Sequence, residues 1–366
     1  MNHIVVSGYY GSKNAGDEAM LAAMIEVLSD LEPKLNITVI SANPEDTEKR
    51  HGVAAVSWLD VGAIVSALKK ADLMISGGGS LLQNVTSGRS LYYYLGVIFL
   101  ARLLGTPVML YAQGIGPVCG GFARWLMTAI SSRVSLITVR DHGSLEELRS
   151  LNVSRPPIEV TADPVLAIHP VDRGIGRAVL KRYKADGAKP VIGISVREWR
   201  GWVGYKKAIA EAADRMAEEL DARILFLPMQ YPEDVEAAKQ IASRMKNSAI
   251  MLDEEYTTSE LLSIVGNLDL LISIRLHALI FAGVMNVPMV GISYDPKIDR
   301  FLDSIGQKPA ADLKTVTADN LMEDVREKWK LRGELQEKNA ELLSELRRLA
   351  FRNAELAMNL IKNKNR

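Results

Sequence analysis

Short apolar runs, almost free of charge, alternate along the chain with longer amphipathic ones. The short runs are Ile4–Ser7, Ile37–Ile40, Leu73–Ser76, Val108–Tyr111, Leu136–Val139, Val191–Ser195, Ile224–Leu227, Ala249–Leu252, Leu268–Ile272 and Met289–Ile292. Their length and β-branched content are those of strands buried on both faces. Helical periodicity fills the intervals, as in Asp17–Leu31, Val61–Lys70, Ser90–Leu104, Tyr205–Leu220 and Leu276–Met285. Such alternation predicts parallel sheets with crossover helices, an α/β fold. The pattern is interrupted once, at DPVLAIHPVDR from Asp163 to Arg173, which has two prolines and no periodicity. The expected organisation is therefore a Rossmann-like domain over 1–170, a second over 171–315, and a helical tail over 316–366. Two doubly wound domains would meet at a cleft, because ligands of open α/β sheets bind at the carboxyl ends of the strands.

The tail has its own pattern. Leu335, Asn339, Leu342, Leu346, Leu349, Asn353, Leu356 and Leu360 are spaced alternately by four and three, a heptad seam with Asn at two a positions. Buried Asn is best attested as a device that fixes register between helices. The seam thus favours a homo-oligomer joined through residues 335–360 over packing on the chain's own domains. Arg347, Arg348, Arg352, Lys362, Lys364 and Arg366 lie outside it, as a solvated face or a contact to an anionic membrane.

Composition narrows the classes. Lys plus Arg and Asp plus Glu are both 44, so bulk positive charge cannot hold a nucleic acid. The single cysteine, Cys119, excludes a disulfide framework and fits a reducing compartment. The start, MNHIVVSGYYG, lacks the basic region of a signal peptide. The most apolar stretch, Leu91 to Leu110, is broken by Gly105 and Pro107 and reads as a buried helix followed by a strand. These features predict a cytoplasmic protein without a transmembrane segment.

Five loops could carry chemistry. GYYGSKNAGDEAM, Gly8 to Met20, offers Asn14 and Asp17 as helix caps or as contacts to sugar hydroxyls. SGGGSLLQN, Ser76 to Asn84, lets a substrate approach the backbone at Gly78, Gly79 and Ser80, or makes a sharp turn. Arg140, ending the run LITV, points to a ligand or pairs with Asp141 or Glu146. SVREWRGW, Ser195 to Trp202, combines arginine forks for phosphate or carboxylate with indoles that stack on sugars. The strongest segment runs from Asp269 to Phe301. There Arg275 and His277 open an otherwise apolar helix, and Lys297 follows the next strand. A charged Arg and a titratable His have no easily satisfied place in such a helix unless an anion is bound there. Histidines 3, 51, 142 and 169 lack metal-ligand spacing, and no G-x-S-x-G elbow is present.

Taken in order, GYYGSKNAGDEAM, SGGGSLLQN, YAQGIGP, Arg140-Asp141 and SIRLHALIFAGVMNVPMVGISYDPK resemble the polysaccharide pyruvyl transferase family, most closely its bacterial cell-wall type, CsaB. The resemblance covers about residues 4 to 305. It implies a GT-B-like pair of domains, phosphoenolpyruvate as co-substrate, no cofactor or metal, and a sugar acceptor. The acceptor it implies is an N-acetylmannosamine residue of a lipid-linked cell-wall glycan precursor, which receives a 4,6-ketal; the polymer then anchors S-layer proteins. On that reading His277 is the acid/base and Arg140, Arg197, Arg275 and Lys297 bind the donor. Asn14, Asp17, Gly78, Gly79 and Ser80 then line the acceptor side. A nucleotide-sugar glycosyltransferase or epimerase of the same fold is the alternative, with Glu254 or Glu255 on a ribose.

Overall fold

A computed structural model of the chain describes residues 2–364, except 86–87 and 200–201. The chain divides into two compact units, Met1–Ile168 with Leu346–Arg366, and His169–Glu345.

The first unit is built on a seven-stranded parallel sheet: β1 His3–Ser7, β2 Asn36–Ser41, β3 Ala54–Ser57, β4 Leu73–Ser76, β5 Val108–Gln113, β6 Leu136–Val139 and β7 Ile158–Val160. The crossover helices are α1 Ala15–Leu31, α2 Pro44–His51, α3 Val61–Lys70, α4 Gly88–Leu103, α5 Gly121–Ser131 and α6 His142–Ser150. Strand order β3-β2-β1-β4-β5-β6-β7 is doubly wound, and the order reverses between β1 and β4. These two strands pair in register, Ser7 beside Ser76, so the loops that follow them leave the sheet side by side.

The second unit repeats the plan with six strands: β8 Val191–Ser195, β9 Arg223–Phe226, β10 Ala249–Met251, β11 Leu270–Ser273, β12 Met289–Ser293 and β13 Ala311–Asp312. Their order is β10-β9-β8-β11-β12-β13, reversing between β8 and β11. The helices of this unit are α7 Gly174–Arg182, α8 Gly204–Glu219, α9 Glu233–Ala242, α10 Thr258–Val265, α11 Leu276–Val284, α12 Pro296–Ser304 and α13 Ala318–Lys330. Both sheets are covered by apolar side chains, with Ile4, Val5, Leu73 and Ile75 wholly buried in one and Ile192, Leu270, Leu271 and Ile292 in the other. Each such side chain contributes about 1.5–3 kcal/mol of burial.

The tail consists of two helices, α13 and the long α14, Arg332–Lys364. Its residues up to Glu345 belong to the second unit and those from Leu346 to the first. The buried stripe of α14 lies one position beyond the leucine seam, at Leu343, Ala350, Ala354, Ala357 and Ile361. Both seam asparagines are buried with partners inside the chain. Asn339 accepts from Gln307 Nε2 at 3.1 Å. Asn353 accepts from Thr161 Oγ1 at 2.9 Å and donates to the carbonyls of Ala162 and Ala350. Both asparagines thus have hydrogen-bond partners within their own chain. Arg366 lies outside the described residues.

Candidate active site

In the second unit, three neighbouring strands end in serine and then in a functional side chain. After β8 comes Arg197, after β11 comes Arg275, and after β12 comes Tyr294. Ser273 fixes the middle exit: its hydroxyl donates to Ser195 O at 3.2 Å and accepts from Arg275 N at 2.8 Å. Arg275 is the residue before α11, and His277 is the second residue within it. Asp295 caps α12 by accepting from Lys297 N at 3.1 Å. Two helix N-termini therefore add positive potential where Arg275, His277 and Lys297 already sit.

Arg197, Arg275 and Lys297 all act on the Tyr294 hydroxyl. Arg197 Nη1 donates to it at 3.1 Å, and Lys297 Nζ lies 5.6 Å from the ring centroid. Burial pushes that hydroxyl up, but Lys297, Arg197 and Arg275 together pull harder and hold it below its ordinary value of 10. Trp199 packs on Tyr294 with centroids 4.4 Å apart, and the Arg197 guanidinium lies 5.4 Å from the Trp199 ring. The loop from Ser195 to Trp202 thus serves the same place as the segment around Lys297; Arg200 lies outside the described residues. Arg275 Nη1 reaches Asp234 Oδ1 at 3.4 Å, with both side chains buried. Asp234 also accepts from the backbone amides of Met229 and Gln230. Burial nonetheless raises its carboxyl pKa, because Arg275 and the amides offset only part of the desolvation.

In the first unit the glycine-rich loops gather around Arg140. Its Nη1 donates to Asp163 Oδ2 at 2.8 Å and its Nη2 to Ser80 Oγ at 3.2 Å. Gly114 leaves the space for it, since a Cβ there would lie 2.7 Å from Nη2. Gly79, at φ +97°, needs the left-handed region, and its carbonyl accepts from Gly114 N at 2.8 Å. A Cβ on Gly79 would lie 3.5 Å from Asp17 Oδ1, so Asp17 and the triple-glycine loop are neighbours. Ala112, at φ +46°, marks an irregularity in β5 beside which Gln113 Nε2 donates to Ser76 O at 3.1 Å. Glu18 braces the first loop, accepting from Gly11 N at 2.8 Å and meeting His51 Nε2 at 2.9 Å. Asn14 Oδ1 accepts from Gly16 N and Asp17 N, which makes it the cap of α1.

The structure therefore groups the sequence candidates by unit. Arg197, Arg275, His277 and Lys297 share the strand ends of the second. Asp17, Gly78, Gly79, Ser80 and Arg140 share those of the first, so Arg140, expected among donor ligands, is in contact with Ser80. Three partners escaped the sequence reading. Tyr294 stands inside a recognised motif but looks like any aromatic. Asp234 and Asp163 are 41 and 23 residues from the arginines they meet. Among the described residues, no group of three His, Cys, Asp or Glu is placed to hold a metal ion.

The sequence profile of polysaccharide pyruvyl transferase matches residues 14–296. The chain belongs to the polysaccharide pyruvyl transferase family. The match spans both clusters, from the cap Asn14 to Pro296, and stops one residue short of Lys297. Membership makes the protein a transferase, and pyruvyl transfer to polysaccharide is the chemistry of its family. No curated protein matches the sequence significantly. Solved structures similar to this pyruvyl transferase include S. aureus MnaA in its UDP co-structure, with TM-score 0.70 and 14% identity over 99% of this chain and 96% of that one. The UDP-GlcNAc 2-epimerase from Neisseria meningitidis bound to UDP-GlcNAc gives 0.64 and 13%, over 98% of this chain and 100% of that one. HepE from Anabaena in complex with UDP-glucose gives 0.62 and 12%, over 100% and 98%. At these identities the likeness concerns the fold, which is α/β and GT-B-like.

Proposed function

We propose that this pyruvyl transferase moves the enolpyruvyl group of phosphoenolpyruvate onto two hydroxyls of one sugar, forming a cyclic ketal and releasing phosphate. The observation that supports it best is the convergence of Arg197, Arg275 and Lys297 on Tyr294 at two helix N-termini. Phosphoenolpyruvate brings a phosphate and a carboxylate, and several cations in one place suit such a ligand. The chemistry uses these residues as follows. His277 donates a proton to C3 of the enol, which makes C2 electrophilic. A sugar hydroxyl adds to C2 and gives up its proton, returning the base to its starting state. The C2–O bond to phosphate then breaks, with the cations taking up the charge on the leaving oxygen. The second hydroxyl closes the ring, and its proton leaves with phosphate. One acceptor proton thus ends in the new methyl group and the other on phosphate.

The acceptor of this reading is an N-acetylmannosamine residue of a lipid-linked cell-wall glycan precursor, pyruvylated across O4 and O6 as in the CsaB type. Asp17, Gly78, Gly79 and Ser80 are its proposed contacts. Incubation with phosphoenolpyruvate and an N-acetylmannosamine-containing glycolipid should release phosphate in step with a ketal detected by mass spectrometry. The three similar structures named above hold UDP or a UDP-sugar, which sustains a nucleotide-sugar reading as the rival. Of the two acids reserved for a ribose in that reading, Glu254 is ion-paired with Arg182 at 2.7 Å. Thermal stabilisation by UDP and not by phosphoenolpyruvate would replace the pyruvyl-transfer reading.

A further inference from the structure

Helix α4 is apolar on both sides. Leu91, Leu95, Ile98 and Ala101 are buried in the core of the first unit. Tyr92, Phe99 and Leu103 repeat on the opposite side and are exposed, from 43% at Tyr92 to 70% at Leu103. A helix of this kind normally has both sides covered. Helix α4 packs against α3 and α5, which adjoin it. Helix α5 extends the exposed surface with Phe122 and Trp125, 65% and 62% exposed. Their rings stack with centroids 5.8 Å apart, and Phe122 lies 6.2 Å from Tyr92. Large aromatics gathered in solvent mark an interaction surface.

The three helices of this patch carry only basic charges themselves. None of α3, α4 and α5 contains an acidic residue, while Lys69, Lys70, Arg89 and Arg102 are exposed on α3 and α4. The acid that precedes α3, Asp60, accepts from Ala63 N as the helix cap. On α14, by contrast, Arg352 is paired with Glu159 and Glu355, and Lys364 lies 3.8 Å from Asp72. No described helix is long and apolar enough to cross a membrane.

We propose that the outward side of α3, α4 and α5 is a docking surface for an anionic lipid bilayer. Tyr and Trp favour the level of the headgroups, Phe and Leu reach the acyl boundary, and Lys and Arg meet lipid phosphate. Self-pairing is the poorer fit, since a two-fold contact would set three helices that contain only basic charges against their own copies. The inference is independent of the transferred group, as vesicle binding needs neither donor nor acceptor.

The test is co-sedimentation of the full chain with phosphatidylcholine vesicles, with and without phosphatidylglycerol, at low and high salt. Binding should require phosphatidylglycerol and weaken with salt. The double variants Phe122→Ser, Trp125→Ser and Arg89→Gln, Arg102→Gln should each bind about tenfold or more weakly. Their thermal midpoints and affinity for phosphoenolpyruvate should match the parent's, because all four side chains are exposed. Absence of binding to either vesicle would overturn the proposal, as would unchanged binding by both variants. So would a dimer that the Phe122→Ser, Trp125→Ser variant dissolves, which would assign the surface to a second copy.

Discussion

Arg275 and Asp234 form a buried ion pair, Nη1 to Oδ1 at 3.4 Å, at the end of the central strand of the second unit. Removing one partner of such a pair leaves an uncompensated buried charge, at about 3–5 kcal/mol. Arg275→Ala should therefore lose stability of that order in chemical denaturation. Adding Asp234→Asn should restore most of the stability while leaving affinity for phosphoenolpyruvate low. Recovery of affinity together with stability would show that Arg275 serves only to neutralise Asp234.

Arg197 and Lys297 are only part-buried and can be truncated with less effect on the fold. A hydrogen bond to a charged group is worth about 1.5–3 kcal/mol. Arg197→Ala and Lys297→Ala should each raise KM for phosphoenolpyruvate by roughly tenfold to a hundredfold on that scale, with a smaller change in KM for the sugar. Steady-state kinetics with each substrate varied in turn reads this directly.

His277→Ala should lower kcat by about 10²–10⁴-fold, the usual contribution of a positioned acid or base. Binding of phosphoenolpyruvate by calorimetry should persist. A folded variant with parental turnover would remove His277 from the mechanism.

Tyr294 supplies a pH-dependent readout. Its hydroxyl is held below 10, because Lys297, Arg197 and Arg275 outweigh the effect of burial. At pH below that depressed value, the folded and unfolded states are both protonated at Tyr294. Between it and 10 only the folded protein has lost the proton. Stability should therefore rise with pH across this window relative to Tyr294→Phe. Tyrosinate absorbance should show one early-titrating group that Tyr294→Phe abolishes. Phosphoenolpyruvate, by placing negative charge beside the same cations, should move that titration upward.

The C-terminal helix is part of the fold. Asn353→Leu would leave the Thr161 hydroxyl and the Ala162 carbonyl without their side-chain partner, a loss of about 1–3 kcal/mol. Truncation after Glu345 would uncover the contacts of Ala350, Ala354, Ala357 and Ile361, all nearly inaccessible. Thermal melts should show the truncated chain far less stable than the point variant.

The central strands were legible because burial on both faces leaves no room for charge, as in LMIS and LLIS. The edges were not. Strands β3, β7 and β13 are short and half-exposed, so neither run length nor alternation marks them. Helix α2, PEDTEKRH, buries only Thr47 and has no apolar stripe to read. Arg275, His277 and Lys297 stood out as polar groups in apolar surroundings, a local contrast. Asp234, Asp163 and the hydroxyl of Tyr294 acquire meaning only from partners that the folded chain brings near. The partners of the tail asparagines were hidden for the same reason: Asn353 finds Thr161 at a separation of 192 residues, which heptad spacing cannot register.

That separation bears on how the protein is made. The first unit takes its last helix from Leu346 onward, after the whole of the second unit has been encoded. A nascent chain leaving the ribosome carries strands β1 to β7 for some 180 residues of synthesis before the Asn353 side chain exists to meet Thr161. The second unit, continuous in sequence, has no such wait. Translation therefore delivers the later unit ready to fold and completes the earlier one only with the helix that follows it.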